Sequence, residues 1–280
     1  TSRRQRQMCI RDRERYGEMT DLYDRPYQTD YRNSVWNCGI LPVYRQQLYS
    51  VYGEYKSTAR EFFATVNLTH NREWYNRIYE QRIENGQVQR VSLPLSNHGS
   101  GYTVKSTLSK GFYDLGLKTS LMALLNISKA EQISGGQRLP YQYRLMRLEP
   151  KVIWTPNRHW ETSYQTDIRY GGSKIGERTR LAPLWNVIQQ VQLSYIFSPI
   201  EASLSVDHYH NDVNEDQSVN AVFADFSVSW KSGRWQITAT ATNLFDKRTY
   251  AYTRYASLES YTSWVRIRPR EFLVAIRYRL

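Results

Sequence analysis

REFLVAIRYRL, residues 270–280, alternates without a break. Phe272, Val274, Ile276, Tyr278 and Leu280 share one parity, and Leu273, Ala275, Arg277 and Arg279 the other. A repeat of two residues is the signature of a strand whose two faces meet different surroundings. The same pattern recurs upstream. Trp235, Ile237, Ala239 and Ala241 oppose Gln236, Thr238 and Thr240, and Val222, Ala224, Phe226, Val228 and Trp230 oppose Asp225, Ser227 and Ser229. Further copies fall within 202–206, 191–197, 160–170, 148–154, 117–125, 102–108, 62–68 and 49–55. The total is about eleven strands, with no segment of helical period.

The connections between these strands alternate in length. Short ones fall at 57–60, 113–114, 156–159, 198–200 and 231–234, and long ones at 71–97, 131–140, 172–183, 211–219 and 247–264. Within the first long one, Asn85-Gly86 is a favoured hairpin turn. A soluble sandwich has no reason to sort its turns by end, whereas an outer-membrane barrel has short periplasmic turns and long outer loops. Glu149, Asp167 and Asp225 lie on the polar parity, which must therefore be wet. Trp154 and Trp160 flank one short turn, and Trp230 and Trp235 another, as residues of a membrane interface would.

The 280 residues include 23 Tyr and 8 Trp and carry a net charge of +12. So many aromatics argue against disorder, and no apolar run approaches the roughly 20 residues of a membrane-spanning helix. Residues 3–12, RRQRQMCIRD, break the pattern with four Arg and no alternation. They resemble one reading frame of a common transposase sequencing adapter, so residues 1–13 are expected to form no domain and 14–45 a loop or partial strand. Without residues 1–12 the net charge is +9 (12 less 3), spread along the chain in no single block. Cys38 is then the sole cysteine outside that stretch, which leaves no internal disulfide.

NLFDKRTY (243–250) resembles the Asn-Leu-Phe motif opening the last hairpin of TonB-dependent outer-membrane receptors, and RIRPREFLVAIRYRL (266–280) their closing strand. Leu108-Ser109-Lys110-Gly111-Phe112 is similar to the same family. The resemblance implies an all-β, antiparallel transmembrane β-barrel, of which residues 46–280 would be the C-terminal half, about 11 of about 22 strands. It implies that Phe272, Val274, Ile276, Tyr278 and Leu280 form a terminal insertion signal read by the barrel-assembly machinery, with Leu280 where Phe is usual. It also implies a plug and a segment engaging the TonB complex, neither visible in this chain.

Several residues are candidates for function. Trp74, Tyr75, Tyr79, Tyr250, Tyr252 and Tyr255 fall in long connections, where aromatic rings could stack on sugars or flat chelates; packing between loops is the alternative use. His208 and His210 share a strand face within DHYHND, followed by Glu215 and Asp216, and both residue types suit a divalent metal; a polar strand top is the plainer reading. Arg254, Arg266, Arg268 and Arg270 suit lumen ion pairs or lipid A phosphates equally. Gly171-Gly172-Ser173-Lys174 lacks the spacing of a phosphate loop, and no nucleophile motif occurs.

The expectation is therefore a transporter rather than an enzyme, in the outer membrane of a Gram-negative bacterium. It would take up a scarce nutrient such as a siderophore, oligosaccharide, peptide or cobalamin-like ligand. No cofactor is expected. Expected partners are outer-membrane lipid and lipopolysaccharide, and a surface lipoprotein is compatible; nucleic acid is not among them. Two rivals make different demands. A complete small barrel, porin or adhesin, requires the strand near 46–56 to pair with 270–280. A soluble β-rich carbohydrate-binding protein requires no aromatic band.

Overall fold

The computed structural model describes residues 2–31, 33–84, 87–176, 179–213, 216–256 and 259–279. It is all-β, with two single 3-10 turns at Met19–Leu22 and Tyr113–Leu115. The strands are β1 (Ser2–Tyr16), β2 (Tyr27–Gln28), β3 (Asn33–Trp36), β4 (Val43–Ser57), β5 (Phe62–Tyr75), β6 (Ile78–Glu84), β7 (Gln87–Leu93), β8 (Asn97–Phe112) and β9 (Leu117–Ser134). They continue with β10 (Gln137–Asn157), β11 (Trp160–Ile175), β12 (Thr179–Phe197), β13 (Ile200–Asp212), β14 (Ser218–Ser232), β15 (Trp235–Thr242), β16 (Thr249–Ala256), β17 (Glu259–Arg266) and β18 (Glu271–Tyr278).

One antiparallel path runs β1-β4-β5-β8-β9-β10-β11-β12-β13-β14-β15-β18. The eleven strands expected from alternation are β4, β5, β8 to β15 and β18. Two short parallel bridges, β3 to β7 and β6 to β9, attach the β6–β7 hairpin and the β2–β3 segment to this path. β4 is paired on both edges, to β1 and β5, so the closure that a small barrel would make between β4 and β18 does not occur. Among the described residues no ladder joins β1 to β18.

Register shows how the alternation is used. Trp154, Thr162, Leu193, Leu204, Phe226, Ala241 and Phe272 stand opposite one another in a single row across seven strands. A second row runs Met8, Val51, Leu68, Val104, Leu125, Met146, Tyr170 and Trp185. The opposite face carries rows such as Ser194, Ser203, Ser227 and Thr240. From β4 to β18 the sheet is thus largely apolar on one side and polar on the other.

The apolar side is not packed against anything. Leu68, Leu108, Leu121, Leu125, Trp154, Phe226 and Phe272 are each about 40 % exposed or more. Buried hydrophobic residues among those described are Ile78, Val91, Ile133, Leu184, Ala221, Ala224 and Ala251. All lie toward the end with the long connections, around the β6–β7 and β16–β17 hairpins. A soluble fold of this size would hide a core of large side chains, and here the middle of the sheet has none.

Aromatic residues mark two edges of the apolar face. Tyr102 and Phe112 on β8, Trp160 and Tyr170 on β11, and Trp185 and Tyr195 on β12 are each ten residues apart on the same parity. Ten residues of strand span ~33 Å, or ~27 Å when tilted by about 35°, close to the apolar band of a membrane barrel. The lower edge steps down across the sheet. From Trp154 on β10 the row meets Phe272 on β18 six strands later, while the aromatic at that strand's end, Tyr278, is six residues further on. One residue of stagger per strand gives a tilt near arctan(3.3/4.8), about 35°.

The two ends of the sheet differ. Short turns close one end. At one of them Gly116 takes φ 59°, and a Cβ there would sit 2.1 Å from the Thr155 carbonyl oxygen. At the other end the expected loops are instead strand extensions. Residues 131–140 continue β9 and β10 to a tight turn at Gly135 and Gly136, whose φ angles of 57° and 75° suit a two-residue hairpin. Within 247–264 and just beyond, Thr249–Ala256 and Glu259–Arg266 pair as the β16–β17 hairpin. Pairing satisfies backbone groups that a loop would leave to water. Asn85-Gly86 lies outside the described residues, between the paired strands β6 and β7. Residues 14–45 contribute the end of β1, a 3-10 turn, β2 and β3. β1 differs from its eleven neighbours on the path: its apolar-side parity includes Arg6, Asp12 and Glu14.

Asn243 is the keystone of the last connection. It is buried with φ 51°, a conformation Asn tolerates better than most residues. Its amide nitrogen Nδ2 donates to the carbonyls of Lys247 (2.9 Å) and Arg268 (2.8 Å), and its Oδ1 accepts from the Lys247 amide (3.0 Å). Its backbone N–H donates to Asp225 Oδ1 at 2.7 Å. Asn243→Ala should lower unfolding stability in detergent by about 3 kcal/mol, from three lost bonds and a strained dihedral. Asn243→Gly should recover about 1 kcal/mol of that, which denaturant titration of both variants would measure.

Candidate functional site

The polar face holds its charges in pairs. Residues two apart on a strand share a face, so Arg147 and Glu149 of β10 lie on the polar side beside Asp167 and Arg169 of β11. Arg147 grips Asp167 with two bonds, Nε to Oδ1 at 3.0 Å and Nη2 to Oδ2 at 2.9 Å. Arg169 Nη2 lies 2.6 Å from the same Oδ2. Arg147 Nη2 also lies 2.5 Å from Glu149 Oε1, an ion pair without hydrogen-bond alignment. Higher on this face, Glu73 accepts from Tyr44 (3.0 Å), Gln46 (3.3 Å), Asn71 (2.8 Å) and Tyr75 (2.9 Å). Four neutral donors surround that carboxylate.

The β16–β17 hairpin packs against β11, β13 and β14 on this side, at the end with the long connections. Asn211 Nδ2 donates to the Tyr250 hydroxyl at 2.9 Å and to the Ala251 carbonyl at 3.4 Å. The Tyr250 ring meets Tyr209 edge-on at 5.3 Å. Ala251 and Thr253 are buried in that contact. At the foot of the hairpin Asp246, also with a positive φ of 51°, accepts from Arg248 Nη2 at 2.9 Å and from the Arg270 amide at 3.0 Å. The hydrogen bond from Arg248, then that from the Arg270 amide, holds the Asp246 carboxyl below the usual carboxylate range.

The six aromatic candidates do not converge. Trp74, at the end of β5, faces the apolar side. Tyr75, its neighbour, faces the polar side and packs on Tyr44 with ring centroids 4.9 Å apart. Tyr79, on β6, lies beneath the guanidinium carbons of Arg90 (3.6 Å) and Arg77 (4.9 Å). Tyr250 and Tyr252 stand on β16 with centroids 6.0 Å apart. The side chain of Tyr255 lies outside the described residues. These positions were expected in loops; the structure puts them on strands, because hairpins and strand extensions replace the loops.

His208 and His210 share the apolar parity of β13. The ring of His208 lies 3.4 Å from Gln189 Oε1, and that of His210 bonds Asn220 at 2.9 Å and approaches Asp212 at 3.4 Å. Glu215 lies outside the described residues. Among the described residues no group of three or more His, Cys, Asp or Glu could hold a metal. Phe272, Val274, Ile276 and Tyr278 occupy one parity of β18 and are 75, 66, 65 and 45 % exposed; Leu280 lies outside the described residues. Arg268 and Arg270 serve the Asn243–Asp246 turn through their backbone. The Arg147–Asp167–Arg169 cluster and Glu73 were not singled out from sequence. Opposite charges two apart on adjacent strands were the available signal, and it needed the register to be read.

No protein-family model matches the chain, and no curated protein matches it in sequence. Among solved structures, the translocator domain of the autotransporter NalP from Neisseria meningitidis is similar at 10 % identity and a TM-score of 0.29. That match covers 98 % of this chain and 88 % of the other. Nothing is carried over from it.

Asp246 supplies a pH-dependent contact. A carboxyl whose folded pKa is depressed stabilises above its unfolded pKa and loses that contribution as pH falls through the folded value. Amide exchange at Arg270, corrected for its intrinsic rate, should therefore be pH-independent from 7 to 5 and lose protection only well below the ordinary carboxylate range. Asp246→Asn should abolish the dependence.

Proposed function

We propose that this chain is a portion of an outer-membrane β-barrel of the TonB-dependent receptor class, serving uptake of a scarce nutrient in a Gram-negative bacterium. One observation carries the membrane part. On the aromatic-edged strands β8, β11 and β12, the apolar parity between the edges carries a single charged residue, Lys110 beside Phe112 at the lower edge, while the polar parity carries paired charges. A surface of that kind suits hydrocarbon on one side and a wet lumen on the other. The stagger and band height derived above fit the same geometry.

Support for the receptor class comes from the NLFDKRTY and closing-strand resemblance. The structure adds a physical reason for such a motif: an Asn with positive φ and an Asp that together tie the last hairpin to β14 and β18. In this reading the chain transports and does not catalyse. Its apolar face would engage lipid and its closing strand the assembly machinery, while TonB would be engaged in the intact receptor through a further N-terminal part. Arg6 and Asp12 on the band side of β1 fit lipid poorly, in keeping with the reading of residues 1–13 as foreign to the barrel.

Folding into phosphatidylcholine vesicles tests the membrane part. The full chain should gain heat-modifiable sheet structure only with lipid. Leu121→Arg, at mid-band on the apolar face, should cost about 2–4 kcal/mol there, and Gln165→Arg, on the polar face, less than about 1 kcal/mol. A monodisperse water-soluble fold indifferent to both substitutions would overturn the reading. Nutrient uptake by the intact protein that persists without TonB would overturn the receptor class.

A further inference from the structure

The apolar face ends, at the side of the long connections, in a row of cations. Arg72, Ser100, Lys129, Gln142 and Lys174 stand opposite one another across β5, β8, β9, β10 and β11. Every second strand thus presents a positive charge, about 9.6 Å from the next. Arg144 lies one step nearer the band, opposite Ile127 and Gly172. With Trp74 and His98 three of the four line a cleft of about 510 Å³.

These cations differ from those on the polar face. Among the described residues Arg72, Lys129, Arg144 and Lys174 make no ion pair, whereas Arg147 and Arg169 are both matched to carboxylates. Glu73 and Glu131 also line the cleft, but Glu131 is committed to Arg138 at 3.0 Å and Glu73 to its four neutral donors. Arg72 is steadied without being neutralised. Its Nε donates to His70 Nε2 at 3.3 Å, and the other nitrogen of His70 lies 3.0 Å from the Gly101 carbonyl. The His70 ring stacks on Tyr102 at 4.3 Å, so the row rests directly on the aromatic edge of the band. Immediately below come Leu68, Val104 and Leu125.

A hydrocarbon-facing surface capped by aromatics and then by unmatched cations matches an amphiphile with acyl chains below and phosphates above. We propose that this cleft binds the phosphate groups of lipid A, the phosphorylated glycolipid of the outer leaflet, with acyl chains on the apolar rows beneath. The proposal rests on the membrane reading above. Guanidinium and ammonium groups about 10 Å apart suit a headgroup with two separated phosphates better than one small anion.

The full chain in phosphatidylcholine nanodiscs, titrated with diphosphoryl lipid A and followed by native mass spectrometry, tests it. Arg72→Gln/Lys129→Gln/Lys174→Gln should weaken binding about 100-fold at low salt, about fivefold per cation. Arg158→Gln/Arg234→Gln, at the opposite end, should leave it unchanged, and lipid A without phosphates should bind as weakly as the triple variant. Equal binding by wild type and triple variant, both folded in the nanodisc, would overturn this site and leave the membrane reading intact. Displacement of lipid A by equimolar inorganic phosphate would also overturn it, making the cleft a soluble-anion site. Failure of the wild type to enter the bilayer would overturn both.

Discussion

An apolar face that finds no partner within the chain is the constraint from which the rest follows. A sheet with one greasy side must cover it, by a second sheet, by helices or by an apolar solvent. The described residues form no second layer over it: the rows through Phe272 and through Leu125 are open to the outside. Leaving them in water would forfeit roughly 25 cal/mol for each Å². The stability of the central sheet must then come from its ladders and from the medium that meets the apolar rows. Aromatic edges ten residues apart and a one-residue stagger per strand are geometric consequences of fitting such a sheet across a band of fixed height.

The same constraint sorts the charges. On the polar face an ion can be matched inside the protein, and Arg147, Asp167 and Arg169 are. On the apolar face ions are all but absent within the band, with Lys110 beside Phe112 at its lower edge, and among the described residues Arg72, Lys129 and Lys174 at the upper edge make no ion pair. The positions of Arg72, Lys129 and Lys174 are thus a property of the boundary. The chain sets them where a strand emerging from hydrocarbon first meets polar groups. Neither pattern could be assigned from net charge alone, since +12 is compatible with scattered solvated arginine.

Sequence disclosed the part of the fold where the two faces meet different media. Alternation at 62–68, 117–125 and 222–230 is sharp because lipid-like and watery surroundings demand opposite side chains, and those segments became β5, β9 and β14. Beyond the band both faces are wet, the demand disappears, and so does the signal. That is why ISGGQR (133–138) and TYAYTRYA (249–256) read as loops yet form hairpins. Cross-strand partners were hidden for another reason. Arg147 meets Asp167 only once the register of β10 and β11 is known, and Tyr250 meets Tyr209 only once a hairpin has folded back. The Asn-Leu-Phe stretch was recognisable as a motif, but its purpose lay in a left-handed dihedral and in bonds to Lys247 and Arg268 that no spacing rule displays.

The two ends of the sheet therefore owe their order to different sources. At the short-turn end the strands stop just past the aromatic edge, and a constrained glycine such as Gly116 suffices to reverse the chain. At the other end strands continue, hairpins dock, and Ile78, Val91, Ile133 and Ala251 provide the small protein-made core. Glu80, buried beside them, accepts from the Gly136 amide at 3.2 Å and from Arg82 at 2.6 Å, tying the β6–β7 hairpin to the β9–β10 turn. Order there does not depend on a bilayer, so it can hold polar groups in fixed positions above one. Recognition chemistry belongs where side chains are held by protein yet reachable from outside, and only this end of the sheet meets both conditions.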